Sequence, residues 1–238
     1  MGRVKIFFNN IGKGLLTPGI FEDSKLSKRF YKYFLTGMLI RLILLPFFFQ
    51  RDLLSTYQRA AETVFAGNMA SGFKQMLISI IHSSYLFIIK SIVPAVGDFS
   101  TILLDPDTWT SWIGFVSSYN VFTVLALFKV LYLIFDLACM FLILRLSFDD
   151  DPEGRLNVFK FWMFNPIVIF VLYIFARHDI IGVFATIVAL ILAKKGRKYW
   201  AIIALAAAIA LRFFPIMILF PLIIYLARSK KDYIALSV

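Results

Sequence analysis

Asp52, Arg177, His178, Asp179 and Arg212 are the residues of this chain whose types and positions invite chemistry. Each lies at the border or in the middle of a long apolar run, where an ionisable side chain is costly and usually serves a function or a partner. Asp52 closely follows the apolar stretch 33–50, and Arg177-His178-Asp179 fill a short turn between two others. Arg212 interrupts the last apolar block three residues before Pro215. His82 and Tyr85 belong to a further apolar segment, and Tyr57, Arg59 and Glu62 follow Asp52. A carboxylate can take a proton from a hydroxyl, guanidinium groups can hold an oxyanion, and an imidazole can assist either.

Every one of these residues also has a purely structural reading. Asp52 suits the N-cap of a helix over 53–67, and Asp179 suits the cap of the apolar run behind it. Arg177 and Arg212 can lay their stems along apolar surface and reach headgroups. His82 fits a packed histidine. Two further charges sit deeper, Arg41 and Asp136, at similar depth in different runs. Each alone in an apolar layer would be expensive, so the two are expected to pair or share a polar network.

The elements that must position these groups follow from composition. Of 238 residues, 61% are hydrophobic and 16% charged, and mean hydropathy is +0.83. Soluble domains use apolar residues for roughly half of the chain, so an all-α polytopic membrane protein is expected. The net charge of +11 resides in clusters just outside the apolar runs, where cytoplasmic placement explains it without nucleic acid. The lone cysteine, Cys139, excludes an intramolecular disulfide and a cysteine metal site. The basic segment 1–32 has no continuous apolar core followed by a cleavage site, so no signal peptide is read, and 4–16 reads as a short surface-lying amphipathic stretch.

Spans are expected at about 33–50, 122–147, 158–175 and 179–193. The block 199–227 reads as two short helices meeting at Arg212-Phe213-Phe214-Pro215, because proline breaks the backbone ladder and arginine seeks an interface. Segment 76–95 is apolar enough to cross. If it did, the clusters at 194–198 and 228–231 would move outside, so the positive-inside rule assigns it to an interfacial or re-entrant helix. The result is about six crossings, both termini cytoplasmic, and an outer loop at about 51–121. Asp52, His82, Tyr85, Arg177, His178, Asp179 and Arg212 then share the outer face. Asp149-Asp150-Asp151 reads as a solvated run, and Asp105-x-Asp107 as a turn before a helix cap that leaves a divalent-metal alternative open.

The order of these pieces resembles the GT-C glycosyltransferases, multispanning enzymes that use polyprenyl- or dolichyl-phosphate sugars. Four stretches carry the resemblance: RLILLPFFFQRDLLSTYQRAAETVFAGN (41–68), LFKVLYLIFDLACMFLILRL (127–146), FNPIVIFVLYIFARHDIIGVFATIVALILAKKGRKYWA (164–201) and LRFFPIMILFPLIIYLA (211–227). Asn165-Pro166 and Arg177-His178-Asp179 are similar to the family's Asn-Pro and Gly-x-x-Asp elements, with Arg177 where many members have glycine. Arg212 stands for the lysine of a Lys-x-x-Pro junction. Residues 33–238 would form one GT-C-like transmembrane domain, although members usually carry several more spans.

The resemblance implies a multi-pass enzyme of the cell membrane or the endoplasmic reticulum membrane. Its reaction is inverting transfer of a hexose, with mannose the nearest parallel, from a lipid-phosphate donor to a glycan or lipid acceptor. One base takes the acceptor proton while the anomeric carbon develops positive charge, and Asp52 is the candidate. The leaving lipid phosphate needs fixed positive charge, for which Arg177 and Arg212, assisted by His178, are the candidates. Tyr57, Arg59, Glu62, His82, Tyr85 and Asp179 are candidates for shaping the sugar or acceptor pocket. No metal or other cofactor is required. Two rivals remain in view: a lipid or solute transporter, and a non-catalytic GT-C-like subunit of a glycosylation complex.

Overall fold

The computed structural model describes residues 20–68, 75–94, 96, 109–146 and 151–227. The stretch 4–16, Asp105 and Asp107, Asp149 and Asp150, and the basic cluster 228–231 lie outside the described residues. Within them the chain is helical, with no strand. In chain order the helices are α1 (Ser24–Leu44), α2 (Arg51–Ala66), α3 (Met76–Ile92), α4 (Trp109–Val116), α5 (Val121–Leu146), α6 (Pro152–Phe164) and α7 (Pro166–Ile169). A π-helical turn, Phe170–Ile174, continues α7, and α8 (Asp179–Lys194), α9 (Lys198–Leu211) and α10 (Ile216–Leu226) follow.

Local chemistry sets the boundaries. Asp23 caps α1 by accepting from the Lys25 amide at 2.7 Å, and α1 stops just ahead of Pro46, which has no amide hydrogen to continue the ladder. Asp151 caps α6 through the Gly154 amide at 2.9 Å, with Pro152 in the first turn. Asn165 breaks α6 from α7 and restarts it, its Oδ1 accepting from the amides of Ile167 and Val168 at 2.9 and 3.4 Å. Ala176 then adopts φ 53°, the left-handed region that a side chain resists. With it the Arg177 amide folds back onto the Val171 carbonyl at 3.0 Å. That turn re-aims the chain at Arg177.

Packing follows the apolar faces. α2 buries Leu53, Leu54, Thr56, Tyr57, Ala60 and Ala61, one stripe at helical spacing. This stripe lies against α3 and α5, and the core they share extends to α8. A second cluster joins α8, α9 and α10, and a third joins α1, α5 and α6. α5 has 26 residues and the run Pro152–Ile174 has 23, and both are long and apolar enough to cross a membrane. At 1.5 Å per residue they extend about 39 and 34 Å, against a hydrocarbon layer of about 30 Å. Large apolar side chains such as Phe87, Phe161, Ile167, Met217 and Phe220 face outward, as a lipid-facing surface requires.

The expected Arg41–Asp136 pair is present. Arg41 Nε donates to Asp136 Oδ2 at 2.7 Å, and both side chains are fully buried. Arg41 also donates to the carbonyls of Met163 and Gly37. Asp136 accepts from Trp162 Nε1 at 2.8 Å and from the Tyr173 hydroxyl at 2.7 Å. The pair therefore locks α1, α5, α6 and the π-helical turn together. The block 199–227 is two helices meeting at 212–215, as its sequence predicts.

Candidate functional site

Asp52 reaches the site from the start of α2, and its position differs from the expected cap. α2 begins at Arg51 with Gln50 in the cap position and no side-chain cap, so Asp52 lies in the first helical turn. Asp179 is displaced in the same way, with His178 in the cap position of α8. Relieved of capping, both carboxylates face arginines. Arg177 Nη1 donates to Asp52 Oδ2 at 2.6 Å, Arg177 Nε lies 3.5 Å from Asp179 Oδ2, and Arg212 Nε contacts Asp179 Oδ1 directly.

The outcome is a row of alternating charge, Asp52–Arg177–Asp179–Arg212, drawn from α2, the turn before α8 and the α9–α10 junction. Side-chain exposure falls along it from 47% at Asp52 through 31% and 27% to 20% at Arg212. The acidic end is open and the basic end is recessed. Gly182 permits the last contact: a Cβ there would lie 3.2 Å from Arg212 Cβ, so a side chain on that turn of α8 would push the junction away.

Behind the row lies a neutral shell. The Thr56 hydroxyl donates to the Asp52 carbonyl at 2.7 Å. His178 Nδ1 sits 3.5 Å from Thr56 Oγ1, and its Nε2 is buried with no hydrogen-bond partner among the described residues. With the Thr56 proton already directed at Asp52, the favoured tautomer carries hydrogen on Nδ1 and leaves Nε2 as an open acceptor. Burial, then the charges of Arg212, His82, Arg177 and Arg59, push His178 down to about 2, so it is neutral. Arg59 donates to Thr56 Oγ1 and Gln75 Oε1 at 3.4 and 3.3 Å. Its half-burial lowers its pKa, with Asp52 and Glu62 acting in the opposite sense.

Other candidates stand further back. Tyr57 has no exposed surface, stacks on Phe128 at 3.9 Å and donates to its carbonyl at 2.7 Å. His82 is fully buried between the Ile78 carbonyl and the Tyr132 hydroxyl, at 2.8 and 3.0 Å. Tyr85 donates to the Leu127 carbonyl at 2.6 Å. These three anchor α2 and α3 on α5. Glu62 is half-exposed one turn beyond Arg59. Among the described residues no three His, Cys, Asp or Glu side chains gather where they could hold a metal. The surface depression lined by Gly196, Arg197, Lys198, Tyr199 and Trp200 lies beyond the opposite end of α8 from Asp179.

Lys129 escaped the sequence reading. It is fully buried in α5, and its ammonium donates to the carbonyls of Leu44, Phe48 and Tyr173 at 3.1, 2.7 and 3.1 Å. Its signal was available: a lysine eight residues into an apolar run is as anomalous as Arg41. Comparison with protein-family models, curated proteins and solved structures gives no match.

Proposed function

We propose that the protein is a multi-pass membrane glycosyltransferase. It moves a hexose from a polyprenyl-phosphate donor to an acceptor hydroxyl by inverting displacement on the non-cytoplasmic face. One observation carries the reading: Asp52, the Arg177/Asp179 turn and Arg212, from three distant parts of the sequence, form one charged row at one end of the helices. The basic residues Lys194, Lys195, Arg197 and Lys198 sit around the opposite end of α8, the cytoplasmic end in a six-span arrangement.

The row also suggests an order of events. In the unliganded state Arg177 holds the Asp52 carboxylate in a fixed orientation. A donor phosphate is a stronger, doubly accepting partner for a guanidinium, and it draws Arg177 and Arg212 toward itself. Asp52 is then released beside the acceptor hydroxyl and takes its proton as the glycosyl–oxygen bond forms and the bond to phosphate breaks. Neutral, buried His178 carries no charge toward the phosphate, so anion contact falls mainly to the arginines. Among the rivals, transport is disfavoured by Arg41 and Lys129, which are sealed by protein partners instead of lining a path.

The test is a panel of lipid-phosphate sugars offered to the purified protein with Asp52→Asn and Arg212→Ala beside it. Transfer should appear with one donor, fall by about 10²- to 10⁴-fold without the base, and lose donor affinity without Arg212. Near-full turnover in Asp52→Asn removes Asp52 as base. No transfer from any donor, with the folded state intact, favours a non-catalytic subunit, whose permanently closed Asp52–Arg177 pair would then be structural.

A further inference from the structure

The geometry points to Lys129 as the positioning residue of the charged row: it sets the distance between Asp52 and Arg177 by holding both backbones that deliver them. The two arms come from opposite parts of the chain. One runs from the end of α1 through 45–50 into Asp52, and the other through the π-helical turn into Arg177. Phe48 and Tyr173, whose carbonyls Lys129 binds at 2.7 and 3.1 Å, lie four residues before Asp52 and Arg177 respectively. The third carbonyl, Leu44, ends α1 and otherwise has only a long turn contact from the Phe47 amide at 3.5 Å. A single ammonium with three donors thus ties carbonyls from both arms to one point.

The placement is specific. Lys129 lies about 12 Å into α5 from its first residue, beneath the row, and makes no ion pair among the described residues. The charge is compensated by carbonyl dipoles, so it is tied to those carbonyls and to nothing that a simple packing role would need. An isosteric apolar residue would fill the volume equally well. What it could not do is hold two irregular backbones, one at a proline turn and one at a π-helical turn, in fixed register. The inference concerns site geometry and stands whether or not the row transfers sugars.

The test places nitroxides at Arg51→Cys and Phe175→Cys in a Cys139→Ala background, and compares Lys129 with Lys129→Met in lipid nanodiscs. The interspin distance distribution should broaden or shift in Lys129→Met. Amide exchange at 44–52 and 171–177 should rise by about 10- to 100-fold, as loss of a charge-assisted hydrogen bond predicts, while exchange within α9 stays unchanged. An unaltered distance distribution overturns the proposal, as does faster exchange spread evenly over all helices, which marks general destabilisation. If Lys129→Met fails to insert, Lys129→Gln, with two N–H donors on a shorter stem, gives the same comparison with the same two outcomes.

Discussion

Replacing Asp136 by asparagine tests a fully buried ion pair. Asp136 Oδ2 receives both Arg41 Nε and the Tyr173 hydroxyl, and Oδ1 receives Trp162 Nε1. An amide can accept at only one of those positions, so its NH2 must face either a guanidinium and a hydroxyl or the indole N–H. Arg41, with no exposed surface, would keep its hydrogen bonds to carbonyls and lose its counter-charge. Breaking a buried pair in this way costs about 3–5 kcal/mol. At about 2–4 °C per kcal/mol for a chain of this length, unfolding should move down by about 6–20 °C. Cys139, the sole cysteine and fully buried, supplies the assay: heating with a fluorogenic maleimide reads its exposure, and far-UV circular dichroism checks that the helices melt with it. The double variant Arg41→Met/Asp136→Leu removes both charges and should lose less than the sum of its two single variants. A shift under about 2 °C in Asp136→Asn, or a fully additive double variant, would refute the reasoning that this pair is held by low-dielectric electrostatics.

Asp52→Asn should behave oppositely, changing stability by about 1 kcal/mol or less because the Asp52–Arg177 pair is partly exposed, while transfer falls steeply. Equal losses in both would make Asp52 structural. Gly182→Val should push the Arg212 junction off α8 and lower transfer by about 100-fold, as a misplacement near 1 Å does; full activity would show that the Asp179–Arg212 contact is dispensable. The His178 prediction concerns pH. Its folded pKa lies near 2 and its ordinary value at 6.5, so the unfolded chain binds the proton first. The contribution is fully present above 6.5, fades as pH falls below it and is gone near 2. By pH 4.5 the loss amounts to about 3 kcal/mol, and His178→Gln should flatten that part of the stability profile. An unchanged profile would place His178 in contact with solvent.

Much of the helical order was legible in the sequence because it depends on local rules. The 212–215 junction was read from proline's missing amide hydrogen, whereas Pro46 and Asn165-Pro166 break helices by the same rule inside the expected spans 33–50 and 158–175, which ran through them. The Arg41–Asp136 pair was legible too, since two opposite charges in apolar runs have few other ways to be satisfied. The roles of Asp52 and Asp179 were only half legible. Their nearness to helix starts suggested caps, but a one- or two-residue shift of each boundary turned both toward arginines. A shift that small lies within the ordinary uncertainty of helix ends in a sequence.

By itself, then, the sequence determined an apolar helical chain with most of its charges at the ends and margins of the runs and a few, Arg41, Lys129 and Asp136, inside them, since burying or solvating each side chain is a property of residue type. Only the tertiary structure decided which charges meet. Tyr57, His82 and Tyr85, which resemble pocket residues when read in line, became anchors because helix packing directs them at α5. Lys129 became the tie between two distant backbones because three carbonyls converge on it. Backbone carbonyls have no letter in a sequence, and their direction exists only once the chain has folded.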